Sequence, residues 1–372
     1  MSSKKILLVS RHDYRTGWRA GRHFLADAFR DRGQSVQFFS VGFSPLSLLS
    51  NDHRKNLFGA SNTWQEVDGI GCYLWRSPVH PFGRGLGNNT SLTNGMFRWW
   101  IASKCIALDE ASRQADLIIV ESGIAAALIG RIRKTAPNAQ IIYFVADLLE
   151  TIGAHSFIAE QLFRDRSAIS DIVVVARAMA PHFDGFGCPV HFVPHGVSKS
   201  DFDNIGPSPY ETSGNIATVG SMLFDPVFFD IAAPAFPDVH FHLIGTPEFG
   251  KSFDNVTEYG RMPFKDTLPY LKHAEAGVAP YADRDGAGYL ADSSLKLMQY
   301  EFLRLPAVCP QYAVGDKVNR HGYQPGDPAS IKNAVTRALE TPFADEASEV
   351  LDWKDVADRL MTLDRAAALI KS

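Results

Sequence analysis

No stretch of this chain approaches the roughly 20 consecutive apolar residues that a membrane-spanning helix needs, so any membrane contact is expected to be peripheral. Cysteine is scarce: Cys72, Cys105, Cys188 and Cys309 lie far apart, with no CxxC pair and no histidine at metal-ligand spacing. They read as reduced structural thiols of a cytoplasmic protein. The N-terminal MSSKKILLVS carries no signal-peptide cleavage pattern and runs straight into an apolar strand. Neither sign of charge dominates. A net charge of −4 gives no general attraction to nucleic acid, which is not expected as a partner, and leaves membrane contact to local patches. No GxGxxG follows the first strand and no GxxxxGK[ST] occurs anywhere, which argues against dehydrogenases and P-loop NTPases. The pairs Asp201/Asp203 and Asp283/Asp285 sit in polar loops and read as turn chemistry rather than a metal site.

What is present is an alternation. Short runs rich in Val, Ile and Phe are separated by longer amphipathic segments, the signature of parallel sheets with helices on both faces. In the first half the runs are 4–10, 35–40, 71–76, 116–122, 139–147, 171–177 and 189–196, with helical patterns over 18–32, 97–114 and 154–168. The tract SDFDNIGPSPYETSGN (200–215), dense in turn residues, reads as a linker. Strands restart at 215–221, 238–245, 255–260, 276–281 and 306–310, and a last helical stretch covers 352–369. A length of 372 residues exceeds what one core usually serves. The fold class expected is therefore α/β, with two Rossmann-like domains of parallel sheet facing each other across a cleft. Residues 1–204 form the first domain, 205–350 the second, and 351–372 a helix able to pack back on the first.

Ligands of open α/β sheets bind beyond the carboxyl ends of strands, and four such places carry chemistry. In GSMLFDP, Gly220 would let a ligand approach the backbone and Ser221 could donate to it, with Asp225 as N-cap and Pro226 as first helical residue; a plain strand-to-helix turn explains the segment equally well. In ADSSLKLMQYEF, Asp292, Ser293 and Ser294 offer N-caps. A diphosphate fits a helix N-terminus reinforced by Lys296, unless this is simply a capped surface helix. Asp147 closes a buried strand and can serve as general base for a hydroxyl, with Glu121 at the end of another strand as its rival. Finally, SRHDYRTGWRAGRH places Arg11, His12, Asp13, Arg15, Arg19, Arg22 and His23 after the first strand, either to bind a diphosphate or acidic sugar or as a solvated helix face. A peripheral-membrane patch is also legible. Phe97, Trp99, Trp100 and Ile101 stand beside Arg98 and Lys104, and the stretches 43–50 and 74–84 add further apolar, aromatic and basic residues.

The pieces SRHDYRT (10–16), CYLWRSPVHPF (72–82), MFRWW (96–100), VESGIA (120–125), VGSMLFDP (219–226), APYA (279–282), YLADSSLKLMQYEF (289–302) and LPAVCP (305–310) run in order through nearly the whole chain. Together they resemble the bacterial exopolysaccharide β-1,2-glucuronosyltransferases of xanthan-type synthesis, inverting enzymes of the GT-B fold. The resemblance implies UDP-glucuronate as donor, no cofactor and no metal. It also implies a polyprenyl-diphosphate-linked oligosaccharide as acceptor, met at the cytoplasmic face of the inner membrane. It places the catalytic carboxylate at Asp147 and UDP contacts at Met222, Tyr281, Leu295, Lys296 and Gln299. Where that family has a glutamate in the loop after the third strand of the second domain, this chain has Arg261, a departure at the donor site. The segment ADLLETI after Asp147 departs too. A UDP-sugar epimerase or hydrolase of the same fold, a transferase using another UDP-sugar and a non-enzymatic nucleotide- or polysaccharide-binding regulator are the competing readings.

Overall fold

The computed structural model describes residues 3–17, 19–50, 52–81, 91–284, 286–341 and 349–371. Trp18, residues 82–84 of the aromatic stretch and Asp285 of the second Asp-x-Asp pair lie outside them. Two compact units are formed, one from Met1–Pro194 with Lys354–Ser372, the other from His195–Trp353.

In the first unit the strands are β1 (Lys5–Ser10), β2 (Ser35–Phe43), β3 (Gln65–Val67), β4 (Ile70–Arg76), β5 (Leu117–Glu121), β6 (Gln140–Val145), β7 (Asp171–Val174) and β8 (Val190–Phe192). Their order in one sheet is β3-β4-β2-β1-β5-β6-β7-β8, and every pairing is parallel except β3 with β4. The central strands are covered on both faces. That is why Ile6–Val9 and Leu117–Val120 read as continuous apolar runs instead of alternating ones. Among the described residues, five α-helices belong to this part of the chain: α1 (Gly21–Asp31), α2 (Ser91–Ala102), α3 (Ile106–Gln114), α4 (Ile129–Thr135) and α5 (Ser156–Arg164). The α1 helix buries Phe24, Leu25, Ala28 and Phe29, spaced to share one face.

The helical pattern over 97–114 is not one helix but the end of α2 and the whole of α3. Arg131 of α4 ends the first by donating to the carbonyls of Ile101 (3.1 Å) and Cys105 (3.4 Å) while its guanidinium pairs with Asp109 at 3.0 Å. Backbone acceptors that a longer helix would use internally are thereby satisfied by a side chain. The aromatic patch also resolves differently from its sequence. Phe97 and Trp100 are wholly buried, Trp100 stacking on Trp75 and Phe97 on Phe157, because they lie on the α2 face turned to the core. Trp99 is half exposed, and Leu46, Leu48, Leu49 and Leu92 are exposed as well.

The second unit holds β9 (Gly196–Val197), β10 (Asn215–Val219), β11 (His240–Ile244), β12 (Val256–Tyr259), β13 (Ala276–Val278), β14 (Ala307–Pro310), β15 (Arg320–Tyr323) and β16 (Leu351–Asp352). Six of these form a fully parallel sheet, β12-β11-β10-β13-β14-β15, and β9 pairs with β16 in a ribbon of two. Its α-helices among the described residues are α6 (Val227–Ala235), α7 (Phe264–Lys272), α8 (Leu290–Ser293), α9 (Leu295–Phe302) and α10 (Pro328–Glu340); α11 (Trp353–Met361) follows, all but its first residue in the first unit. Phe228 and Phe229 of α6, Phe241, Leu243, Val308 and Ile331 build its core. Sequence periodicity leaves out β15, a strand of only four residues whose Arg320 and His321 are polar yet buried. The tract 200–215 is more than a linker. Its Tyr210 donates from the hydroxyl to the Tyr270 carbonyl at 2.6 Å and packs on His242.

One glycine of this sheet is required by close packing. A Cβ added to Gly277 of β13 would lie 2.7 Å from the ring of Tyr300, whose hydroxyl donates to the Val278 carbonyl at 3.0 Å. Gly277→Ala is expected to cost about 1–3 kcal/mol by overpacking, read as a lower urea midpoint. A midpoint equal to that of the parent would show that the ring gives way freely.

Candidate active site

The second unit gathers its polar groups at the carboxyl end of β10. The strand ends at Val219, and Gly220 turns the chain with a φ of +92°, a conformation that costs glycine little. Nothing lies within 4 Å of the position a Gly220 Cβ would take, so the backbone is open to a ligand there. Leu223 follows at φ +47°, a left-handed geometry uncommon for leucine and held by the Leu223 carbonyl accepting from the Ala282 amide at 2.7 Å. The Asp225 amide donates to the Pro280 carbonyl at 2.8 Å, so the loop 220–225 is laced to the segment carrying Tyr281. Ser221 is half-buried and Met222 exposed. The helix after this loop begins one residue later than its sequence suggests. Pro226 is the N-cap of α6, while the Asp225 carboxylate accepts from the Val227 amide at 3.0 Å.

Across the sheet, Ser294 caps α9 and leaves the other N-cap candidates aside. Its hydroxyl accepts from the Leu297 amide at 3.1 Å and shares a hydrogen bond of 2.5 Å with the hydroxyl of buried Tyr281. One residue on, Lys296 turns inward. Its Nζ donates to Thr218 Oγ1 at 3.2 Å and stands 5.4 Å from the centre of the Tyr281 ring. Burial pushes the Lys296 ammonium down to about 7. A cation half-way to losing its proton, in the first turn of a helix and hydrogen-bonded to the strand that leads into the open Gly220 turn, favours a polyanion. Leu295 and Gln299 are half-buried on the same helix. Arg261 follows β12 and is exposed; its Cγ lies 3.8 Å from where a Cβ on Gly245, at the end of β11, would stand. Thr218, missed by sequence reasoning, sits inside a strand run, so only the fold shows that it faces Lys296.

In the first unit the carboxyl ends of β1, β5 and β6 bring a second set together. Glu121, buried at the end of β5, is ion-paired with Arg22 of α1 and accepts from the hydroxyl of Ser10, the last residue of β1. Next to it the amide of Asp147 donates to Ser122 Oγ at 3.3 Å, which fixes the turn after β6 and leaves Asp147 half-buried. Burial pushes the Glu121 carboxyl up, Arg22 and Ser10 draw it back, and the neighbouring Asp147 charge pushes it up again. Of the cluster after β1, His12 is held well below the usual imidazole range by burial and then by Arg22. Asp13 and Arg15 are spent on each other. The Arg15 guanidinium meets the Asp13 carboxylate in two hydrogen bonds of 2.9 and 2.8 Å and donates also to Gln65 Oε1 at 2.8 Å. Ser10 and Ser122 were not singled out by sequence, although the strand-end rule that found Asp147 applies to them.

Among the described residues, no group of three or more His, Cys, Asp and Glu is placed to hold a metal ion, and no helix is long and apolar enough to cross a membrane.

Residues 8–175 match the N-terminal domain of the glucuronosyltransferase GumK. Over 361 residues, 95% of this chain and 88% of the relative, the sequence is 41% identical to the UDP-glucuronate:glycolipid 2-beta-glucuronosyltransferase of Xanthomonas campestris pv. campestris. The chain belongs to the GumK family of glucuronosyltransferases. Membership makes it a glycosyltransferase and agrees with the resemblance carried by its motifs. Solved structures share the fold at far lower identity. The sucrose-phosphate synthase of Thermosynechococcus elongatus superposes with a TM-score of 0.68 over 98% of both chains at 13% identity. A trehalose-6-phosphate synthase gives 0.60 over 96% of both at 11%. These likenesses concern the fold alone, the α/β GT-B architecture expected from the alternation of strands and helices.

Proposed function

We propose that this member of the GumK family transfers glucuronate from UDP-glucuronate to a glycolipid, with inversion and without a metal ion. The observation that carries the reading is the placement of Lys296. From the second residue of α9 its Nζ reaches Thr218, two residues before the open Gly220 turn, and this is the equipment for holding a departing diphosphate. The name of the Xanthomonas relative supports the donor and the acceptor class.

In this mechanism Asp147 takes the proton of the acceptor hydroxyl as its oxygen attacks the anomeric carbon. The bond from that carbon to the donor phosphate breaks, and its electron pair leaves on UDP. Charge accumulating on the diphosphate is met by Lys296 and the α9 amides, the work a bound cation does elsewhere. A single displacement turns an α-linked donor into a β-linked product. The acceptor is a polyprenyl-diphosphate-linked oligosaccharide, reached from the cytoplasmic face of the membrane; exposed Leu49, Leu92 and Trp99 of the first unit support peripheral contact with it.

Mass spectrometry of lipid-linked oligosaccharide incubated with a panel of UDP-sugars tests the proposal. One glucuronosyl residue gained, from UDP-glucuronate alone, is the expected result. Donor consumed equally without acceptor would replace the reading with a hydrolase or epimerase, and UDP bound with no donor turned over would replace it with a regulator.

A further inference from the structure

The mechanism gives Lys296 its task but leaves unexplained the hydroxyl that this lysine meets. Thr218 is the fourth of the five residues of β10, between Ala217 and Val219, and is wholly buried. A hydroxyl buried in a parallel sheet is costly unless it is hydrogen-bonded, and an apolar side chain would serve such a strand as well. This one is used: Thr218 Oγ1 accepts from Lys296 Nζ at 3.2 Å. The ammonium stands 5.4 Å from the centre of the Tyr281 ring, and the Tyr281 hydroxyl shares a hydrogen bond of 2.5 Å with Ser294, the N-cap of α9. The head of the lysine is thus fixed from β10 while its stem leaves from the first turn of α9. The strand itself runs on through Val219 into the open Gly220 turn. An ammonium has three protons, so one anchored to Thr218 can still donate to a ligand.

We propose that Thr218 is a positioning residue for the transfer reaction: its hydroxyl anchors the Lys296 ammonium to β10, so that the charge stands in place before the donor diphosphate arrives. The inference rests on the reading of Lys296 as the group that meets the diphosphate. A lysine has a flexible four-carbon stem, and ordering it at the moment of binding would cost affinity. An anchor supplied by the fold meets that cost beforehand and leaves no reorganisation for the transition state. The acceptor oxygen also favours the charged form of the lysine, against the burial that lowers it. Among the described residues, the titratable groups facing the pair are Tyr281, from the segment after β13, and Tyr300 of α9, which borders Thr218. Burial pushes both above the ordinary tyrosine range, so neither changes charge near neutral pH.

The test compares Thr218→Val with Thr218→Ser in the full chain, by calorimetric titration of UDP from pH 6 to 9 and by transfer rates with lipid-linked acceptor. Valine keeps the branched shape and loses the oxygen; serine keeps the oxygen and loses the methyl. Anchoring predicts that valine weakens UDP binding and lowers kcat by about tenfold each at neutral pH, the scale of one lost charge-assisted hydrogen bond, with serine within about threefold of the parent. Without the acceptor the lysine loses its proton more readily, so in the valine variant UDP affinity is expected to begin falling at a lower pH than in the parent. A residue that only packs gives the opposite order, serine worse than valine, and leaves the pH dependence unmoved; either result overturns the proposal. Should the valine variant not show parental circular dichroism, Thr218→Ala takes its place, since it differs from Thr218→Ser by the oxygen alone. Lys296→Ala separates the two assignments. If it binds UDP and turns over like the parent, the reading of Lys296 itself fails; if it is impaired while Thr218→Val is parental, only the role of Thr218 falls.

Discussion

Asp147→Asn is expected to lower transfer by about 10² to 10⁴-fold, the usual worth of a positioned general base, while UDP affinity stays at the parental value. The substitution is nearly isosteric, and the Asp147 amide keeps its hydrogen bond to Ser122 Oγ at 3.3 Å, so the turn after β6 has no reason to move. What is lost is the ability to take a proton. The groups proposed to hold the nucleotide, Gly220, Ser294 and Lys296, belong to the other unit and are untouched. Transfer rates with lipid-linked acceptor, paired with calorimetric titration of UDP, check the outcome. Activity within a factor of two or so of the parent would remove Asp147 from the mechanism, and Glu121 would then be the first residue to examine.

Lys296 yields the second large effect, and it has a pH signature. In the free protein burial holds the ammonium down at about 7, so above neutral pH the side chain is mostly uncharged. A diphosphate placed against it restores the charged form, and binding therefore takes up a proton above pH 7. The sign follows directly. UDP affinity is expected to be flat below about pH 7 and to fall as pH rises above it, by at most tenfold per pH unit. Titrations in two buffers of different ionisation enthalpy will show the proton taken up. Lys296→Ala removes both the contact and the proton, so it is expected to slow transfer about 10² to 10³-fold and to give UDP binding that no longer weakens with pH in this range. A parental affinity and parental pH dependence in that variant would place the diphosphate elsewhere. The same depressed pKa carries a stability consequence. Burying this charge penalises the free protein below about pH 7, and the penalty is relieved as pH rises toward the ordinary lysine value.

Much of the site was legible because strand ends are local signals. The run QIIYFV followed by Ala and Asp predicts a buried strand with a carboxylate just past it, and β6 ends at Val145 with Asp147 two residues on. A serine followed by an apolar periodic run predicts a capped helix, and Ser294 caps α9. Where single residues misled, the reason was tertiary. Phe97 and Trp100 are as suited to an interface as Trp99, and only packing against Phe157 and Trp75 separates them. The pattern over 97–114 continues through a break that Arg131 makes from another helix. Asp13 and Arg15 carry charge suited to ligand binding, but two residues apart they close on each other.

The order of strands and helices, the parallel sheets and the carboxylates and glycines at strand ends were determined by the sequence itself, since each follows from hydrophobic period and turn chemistry acting over a few residues. Which of those groups meet was decided by tertiary structure. Lys296 reaches Thr218, 78 positions away, and Ser10 reaches Glu121, 111 positions away. Such partners are neighbours only because parallel strands bring their ends to one edge of the sheet. The depressed Lys296 and the raised Glu121 carboxyl are first of all effects of burial, and both exist only once the sheet has formed.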